Sequence, residues 1–167
     1  MMKVSLKRKK QYTTLLLLLG LGVFTANAQI ISKNAIGIRA GDNDGFGSEI
    51  SYQRALGNAT RLELDLGWRD TENFDAMKFT ALHQWVYPIE NRFNWYVGAG
   101  GGVGFFDNNN INANDEVFVV ASGDIGIEYN FKIPLLISLD LRPEVSFNND
   151  YSDGLDLDAA LGIRYQF

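Results

Sequence analysis

The chain alternates between apolar and polar side chains with a period of two residues over most of its length. In residues 61–68, the leucines and the tryptophan occupy one face, while Arg61, Glu63 and Asp65 occupy the other. A helix would mix these two sets, whereas successive residues of a strand point to opposite sides of a sheet. The segment is therefore predicted to be a β-strand with one apolar and one polar face.

The same alternation, clearer in some segments than in others, predicts eight strands. They cover residues 35–41, 46–54, 61–68, 76–87, 93–105, 116–129, 135–147 and 155–167. In the sixth, Phe118 and Val120 share the parity of the polar Asp124, so we expect a β-bulge close to Gly123. Pro143 in the seventh strand has no N–H for the ladder, which predicts a local bulge or one lost hydrogen bond.

The connections between these strands are of two kinds. Residues 56–60, 88–91 and 130–134 are short turns, whereas residues 70–75, 106–115 and 148–154 are longer, polar and acidic. The short loop at residues 42–45 belongs by its position to the acidic set. An even number of antiparallel strands places the short turns at one end with both chain termini. Short turns at one end and longer loops at the other are typical of outer-membrane barrels.

Alternation alone does not say which face is inside, because a soluble lipocalin-like barrel has the same pattern with its apolar face inward. Here the apolar face is too bulky for the interior of eight strands. Glycines line the polar face of the fifth strand, which we expect to leave room for arginines, and aromatic residues gather near strand ends on the apolar face. These features predict an all-β fold, an eight-stranded antiparallel up-and-down transmembrane β-barrel with a polar, side-chain-filled interior, over residues 35–167. A soluble or secreted lipocalin-like small-ligand binder is the alternative.

The N-terminus has the three-part layout of a secretory signal. Four basic residues, 7–10, precede an apolar stretch at residues 15–24, and Ala26 and Ala28 supply the small residues of a cleavage site. Ten apolar residues span only about 15 Å as a helix, about half a bilayer. We therefore expect residues 1–28 to be a cleaved signal peptide and residues 29–34 to be a short lead into the barrel.

Composition excludes several classes of function. The first 28 residues hold five of the fifteen basic residues and no acid, so the remaining 139 carry ten basic against twenty acidic residues, a net charge of −10. No basic patch remains for a nucleic acid. There is no cysteine, and the one histidine, His83, lies on the apolar face without a predicted partner. We expect no catalytic residue, no metal site and no cofactor, and hence no enzyme activity.

Charged residues on the polar face form the densest cluster in the sequence. The predicted lumen network consists of Arg39, Glu49, Arg61, Glu63, Asp65, Asp124, Glu128, Asp140, Arg142, Glu144, Asp156, Asp158 and Arg164, with Arg69 and Lys78 on the same face. An eight-stranded barrel has little space beyond its own side chains, and buried charges must be paired. We interpret this network as an ion-paired filling. A selective lining of a small diffusion channel is the minor alternative.

Acidic residues also dominate the predicted outer loops. This acidic rim comprises Asp42, Asp44, Asp70, Glu72, Asp75, Asp107, Asp115, Asp150 and Asp153, with Glu116 beside it. It is interpreted either as a solvated, self-repelling crown or as a surface that bridges to lipopolysaccharide through divalent cations or binds a basic protein partner.

Three sequence features resemble one known family. They are Gln84-Trp85-Val86-Tyr87-Pro88 leading into residues 94–102, Asp140-Leu141-Arg142-Pro143-Glu144, and the closing Gly162-Ile163-Arg164-Tyr165-Gln166-Phe167. Residues 35–167 resemble the small eight-stranded outer-membrane barrels of the OmpX and OmpA transmembrane type, in the form common in Bacteroidota. The resemblance implies a monomer in the outer membrane of a Gram-negative bacterium, in contact with lipid and lipopolysaccharide. It also implies that Tyr165 and Phe167 form the signal read by the barrel-assembly machinery. This fold serves several tasks, so the resemblance implies location and fold more than a task. We expect a structural or adhesin-like surface role.

Overall fold

A computed structural model describes residues 31–41, 47–70, 74–108, 116–147 and 154–167. The eight strands are β1 (Asn34–Gly41), β2 (Ser48–Ala55), β3 (Thr60–Asp70), β4 (Phe74–Glu90), β5 (Phe93–Asn108), β6 (Glu116–Asn130), β7 (Leu135–Ser146) and β8 (Leu155–Gln166). The eight predicted strands are confirmed. The expected signal peptide at residues 1–28 lies outside the described residues, as do the first two residues of the lead.

The strands form a closed barrel in sequence order, and each pairs antiparallel with its neighbours. β1 and β8 close the ring, and beyond their ladder the backbones of Asn34 and Phe167 exchange two hydrogen bonds of 3.1 and 3.0 Å. Closure leaves no exposed strand edge. Because the number of antiparallel strands is even, the described start and end of the chain lie at the same end of the barrel as the three short turns.

The two faces of the barrel have opposite polarity, as consecutive residues of β7 illustrate. Ser138 and Asp140 are buried inside, whereas Leu139 and Leu141 are 54% and 43% exposed on the outer wall. The same division holds for the buried charged side chains around the ring, which point inward, and for most isoleucine, leucine, valine and aromatic side chains, which lie outside; Leu82, Val86 and Tyr96 are buried inside. The lipocalin-like alternative is wrong, because it requires the apolar face to line the interior. No helix among the described residues is long and apolar enough to cross a membrane.

The predicted bulge near Gly123 is wrong. The register of β5 against β6 is constant from Phe93 to Phe106, so Phe118 and Val120 keep the parity of Asp124 and point into the lumen. Both are only 2% exposed. The alternation of polar and apolar residues predicted a bulge there because it assumes a polar interior, whereas part of the interior is apolar.

A proline and a strand end mark the two irregular places in the ladders. The pairing of β6 with β7 stops at Ser122 and resumes at Ile125 in an unchanged register, opposite Pro143. This proline therefore causes a local loss of ladder pairing and not a bulge. The register shift occurs instead in β4, between Pro88 and Glu90, where the strand enters its turn.

Glycines on the inner face make room for neighbouring side chains, and in β5 these are not the expected arginines. A Cβ at Gly104 would collide with the ring of Phe118, and one at Gly126 in β6 would collide with the ring of Tyr96. Among the described glycines, the one whose added Cβ would meet an arginine side chain is Gly162, beside Arg164 of its own strand. In β5, Gly104 thus makes room for the ring of Phe118 and Gly98 for the side chain of Gln84, so the arginines reach their partners elsewhere.

Candidate functional site

Arg142 projects from β7 into the lumen and is fully buried. Its guanidinium donates to three carboxylates, those of Asp65 at 2.6 Å and of Glu49 and Glu63 at 3.1 Å each. These acids come from β2 and β3, on the far side of the barrel from β7. One side chain thus ties opposite walls together across the interior.

Arg39 extends this network toward the acidic-loop end of β8. Its guanidinium meets Asp140 at 2.6 Å, Asp158 at 2.5 Å and Glu49 at 3.1 Å. Glu49 is therefore shared by Arg39 and Arg142, and it also lies 3.9 Å from the ammonium of Lys78. The partners of Arg39 thus come from three different strands, β2, β7 and β8.

Lys78 of β4 and Arg164 of β8 complete the network. Lys78 donates to Glu144 at 2.9 Å, and the same carboxylate accepts from Ser122 at 3.0 Å. Arg164 reaches Glu63 at 3.1 Å and donates to the hydroxyls of two serines. Each of these four cations meets at least one carboxylate within 4 Å, so the buried positive charges are compensated in place.

A second cluster lies toward the short-turn end. Arg61 donates to Glu128 and to the side-chain oxygen of Gln84, each at 2.6 Å, and its guanidinium lies 4.8 Å from the centre of the Tyr96 ring. Asn94 donates to the other oxygen of Glu128 at 2.9 Å. The Tyr96 hydroxyl lies 3.4 Å from Asp140, which links this cluster to the larger network.

Two of the predicted lumen residues, Asp156 and Asp124, depart from the expected ion-paired set. Asp156 is exposed and not buried, because it is the second residue of β8 at the acidic-loop end. Asp124 is buried, but its carboxylate accepts from the amide of Gln84. Arg69 is half-buried near the outer end of β3. The expected pairing of an arginine with Asp156 is therefore wrong.

Uncharged polar residues of the lumen were not assigned a role from the sequence. Gln53 donates to Glu63 at 2.5 Å, and Gln84 joins Arg61 to Asp124. These residues share the parity of the charges, so alternation alone places them inside. Their partners come from other strands, and nothing in the linear sequence indicates them.

The acidic rim lies mostly outside the described residues. Asp75 is described and exposed, and the backbone register places Asp70 and Asp107 directly across from it on the neighbouring strands. Of Asp42, Asp44, Glu72, Asp115, Asp150 and Asp153 the structure describes nothing. Among the described residues, no group of three histidine, cysteine or acidic side chains could hold a metal ion.

Aromatic side chains cluster on the outer wall toward the short-turn end. Tyr87 stacks on Trp95 at 4.8 Å, and Phe93 meets Tyr129 edge-on at 4.8 Å. His83 also faces outward, with its ring 4.6 Å from that of Trp85. An aromatic belt of this kind occupies the boundary between lipid tails and headgroups in membrane proteins.

The predicted assembly signal lies at the same end. Tyr165 and Phe167 are 57% and 59% exposed on the outer wall, with their ring centres 6.2 Å apart. They are accessible to a partner or to lipid.

No protein-family model matches the chain, and comparison with curated proteins finds no match. Solved structures do match. The N-terminal β-barrel domain of OprF from Pseudomonas aeruginosa aligns with a TM-score of 0.65 at 16% identity, covering 81% of this chain and 98% of that one. Ail, the attachment invasion locus protein of Yersinia pestis, aligns at 0.56 with 16% identity, covering 81% and 97% of the two chains. Neisserial surface protein A aligns at 0.54 with 12% identity, covering 80% and 94%.

At these identities the similarity concerns the fold. The chain has the fold of the small eight-stranded outer-membrane β-barrels, so the resemblance expected from the sequence is confirmed at the level of the fold.

Proposed function

We propose that this protein is a non-enzymatic integral outer-membrane barrel that supports a structural or adhesin-like role through its acidic outer loops. One observation carries the proposal: the outer wall is apolar and aromatic, while the interior is filled with paired charges. Such an exterior is unfavourable in water, where exposing apolar surface costs roughly 25 cal/mol per Å². In a bilayer the same wall meets lipid tails.

The lumen acts as a scaffold in this proposal and not as a pore. Four buried arginines reach across the tube and meet carboxylates from other strands. A continuous water path would require these pairs to separate, at a cost of several kcal/mol for each buried charge. The barrel is therefore proposed to hold its loops rigidly at the cell surface without conducting solutes.

The outer loops supply the surface contact. Between their ends they contain ten acidic and no basic residues, counted over residues 42–46, 70–75, 107–116 and 148–154. This charge favours divalent cations that bridge to lipopolysaccharide, or a basic protein partner. Two of the structural relatives carry names that refer to attachment or to the cell surface, which supports a surface role without specifying its partner.

The proposed location also implies a route by which the chain is exported and assembled. We propose that the signal at residues 1–28 is removed before Gln29, that the barrel-assembly machinery reads Tyr165 and Phe167, and that the barrel works as a monomer in a Gram-negative outer membrane. The exposed position of both aromatic residues at the end of β8 supports this assignment.

The test is fractionation of cells combined with a heat-shift gel. The protein should remain in the outer-membrane fraction and migrate as a compact band in detergent until it is boiled. Folding of the purified chain should require detergent or lipid. Folding in plain buffer, with a soluble native state, would overturn the proposal.

A further inference from the structure

Basic side chains surround the short-turn end of the barrel. Lys33 precedes β1, and Arg54 is the last outward-facing residue of β2. Arg92 lies in the turn after β4, and Lys132 lies in the turn after β6. Within the described ranges none of these four joins an ion pair. Arg92 donates to the backbone carbonyl of Asn130 at 3.1 Å, and Arg54 makes a weak 3.3 Å contact with Asn34. We call these four residues the basic collar.

The collar makes the two ends of the molecule electrostatic opposites. The collar residues lie in four described segments, residues 31–34, 54–60, 88–93 and 130–135. Within these segments Glu90 is the one acidic residue. The outer loops at the other end contain acids and no basic residue. One end of the barrel therefore attracts anions and the other repels them.

Exposed aliphatic side chains lie beside the collar, in or next to each of the three short turns. Leu56, Ile89 and Ile133 are 54%, 58% and 60% exposed. In water each would be unfavourable, and a soluble polyanion would leave them uncovered. Basic residues next to apolar ones are instead the combination that binds the boundary between acyl chains and anionic headgroups.

We propose that the basic collar and the three turn aliphatics form a binding surface for the phosphate headgroups of anionic phospholipids in the leaflet at the short-turn end. This inference rests on the proposed membrane location. The aromatic belt formed by Tyr87, Trp95 and Tyr129 lies just inside the collar and sets the level of the headgroups. The occupant is a phosphodiester lipid, because the collar provides charge and the adjoining turns provide apolar cover.

The experiment measures lipid preference around the folded barrel. The chain is refolded into phosphatidylcholine vesicles that contain spin-labelled phosphatidylglycerol or spin-labelled phosphatidylcholine, and the ratio of the two association constants is determined by electron spin resonance. A variant with Lys33→Gln, Arg54→Gln, Arg92→Gln and Lys132→Gln should lower this ratio several-fold. A basic residue beside an anionic headgroup contributes about 1 kcal/mol, which is roughly fivefold for a lipid that meets one residue of the collar. High salt should lower the wild-type ratio toward that of the variant.

Two control variants separate the alternatives. Neutralising acids at the other end, with Asp42→Asn, Asp44→Asn, Asp150→Asn and Asp153→Asn, changes as many charges and should not lower the ratio. Replacing Leu56, Ile89 and Ile133 by serine should weaken the association of both labelled lipids while leaving any binding of soluble polyphosphate unchanged. A heat-shift gel establishes that each variant is folded.

The outcomes are distinguishable. If the collar variant inserts normally and keeps the wild-type lipid ratio, the collar inference is wrong while the membrane proposal stands. If the collar variant loses only polyphosphate binding, the partner is a soluble polyanion and the inference is equally wrong. If the wild-type chain inserts into no vesicle, the proposed function itself fails.

Discussion

Replacing Arg142 by methionine tests whether the lumen is a sealed ionic filling. The substitution removes the charge but retains an unbranched side chain of moderate length. In the native barrel this arginine contacts the carboxylates of Glu49, Glu63 and Asp65 and is inaccessible to solvent. Breaking a buried pair by removing one partner typically costs about 3–5 kcal/mol, because the remaining charge is left uncompensated.

The remaining contacts indicate which carboxylate would cause this loss. Glu49 keeps Arg39 at 3.1 Å and Lys78 at 3.9 Å, and Glu63 keeps Arg164 at 3.1 Å. Asp65 loses the one cation that contacts it among the described residues, and its second oxygen already has no hydrogen-bond partner. We therefore expect a loss near the lower end of the range, about 3 kcal/mol, caused mainly by Asp65.

A second variant identifies the cause. Adding Asp65→Asn to Arg142→Met removes the stranded charge at nearly constant volume, so it should restore most of the lost stability. The free energy of unfolding is measured by urea titration in phospholipid vesicles, followed by the fluorescence of the three tryptophans. A loss below about 1 kcal/mol is what a solvent-screened pair would show. That result, or a double variant no more stable than the single one, would refute a dry ionic lumen.

Four further outcomes follow from the same structure. Leu64→Arg places a charge on the lipid-facing wall of β3 and should cost about 2–4 kcal/mol in vesicles, whereas Leu56→Arg on an exposed turn should cost little; equal effects would contradict the assignment of faces. Gly104→Val should destabilise the barrel by about 1–3 kcal/mol through collision with the ring of Phe118, and Phe118→Ala in the same chain should relieve much of this loss; no relief would exclude that collision as the cause. Deleting Phe167 should reduce the amount of assembled barrel in cells while leaving refolding in detergent much less affected, and normal surface levels would remove its role in assembly. Wild-type protein in planar bilayers should show no stable conductance, and reproducible open steps would favour the channel alternative.

The strands and the division into faces could be predicted because a period of two is a local property of the chain. Residues 61–68 sort their leucines from their charges without any tertiary information. Once one face is too bulky for a narrow interior, geometry requires that face to be outside. The outward position of Leu139 and the inward position of Asp140 follow from the same rule.

The particular pairings could not be predicted, because they depend on how strands far apart in sequence meet across the lumen. Arg39 and Asp140 are 101 residues apart, and parity alone does not distinguish Asp140 from Asp156 as a partner. Depth along the barrel decides between them, since Asp156 lies at the exposed end of β8. The inward position of Phe118 could not be predicted, for a related reason. The glycine that makes room for its ring is on the neighbouring strand, so its inward position looked like a break in the pattern.

The most direct test of an outward-facing apolar wall uses the tryptophans of the unaltered chain. Trp68, Trp85 and Trp95 are 52%, 40% and 38% exposed on the outside of the barrel, toward its two ends. The chain is refolded into vesicles whose lipids carry bromine at a shallow or a deep position of the acyl chain, and tryptophan fluorescence is compared with that in unbrominated vesicles. Strong quenching is expected, greater for shallow than for deep bromine, with little additional quenching by aqueous acrylamide. Fluorescence unaffected by brominated lipid would place these side chains away from the bilayer and contradict the membrane-barrel assignment.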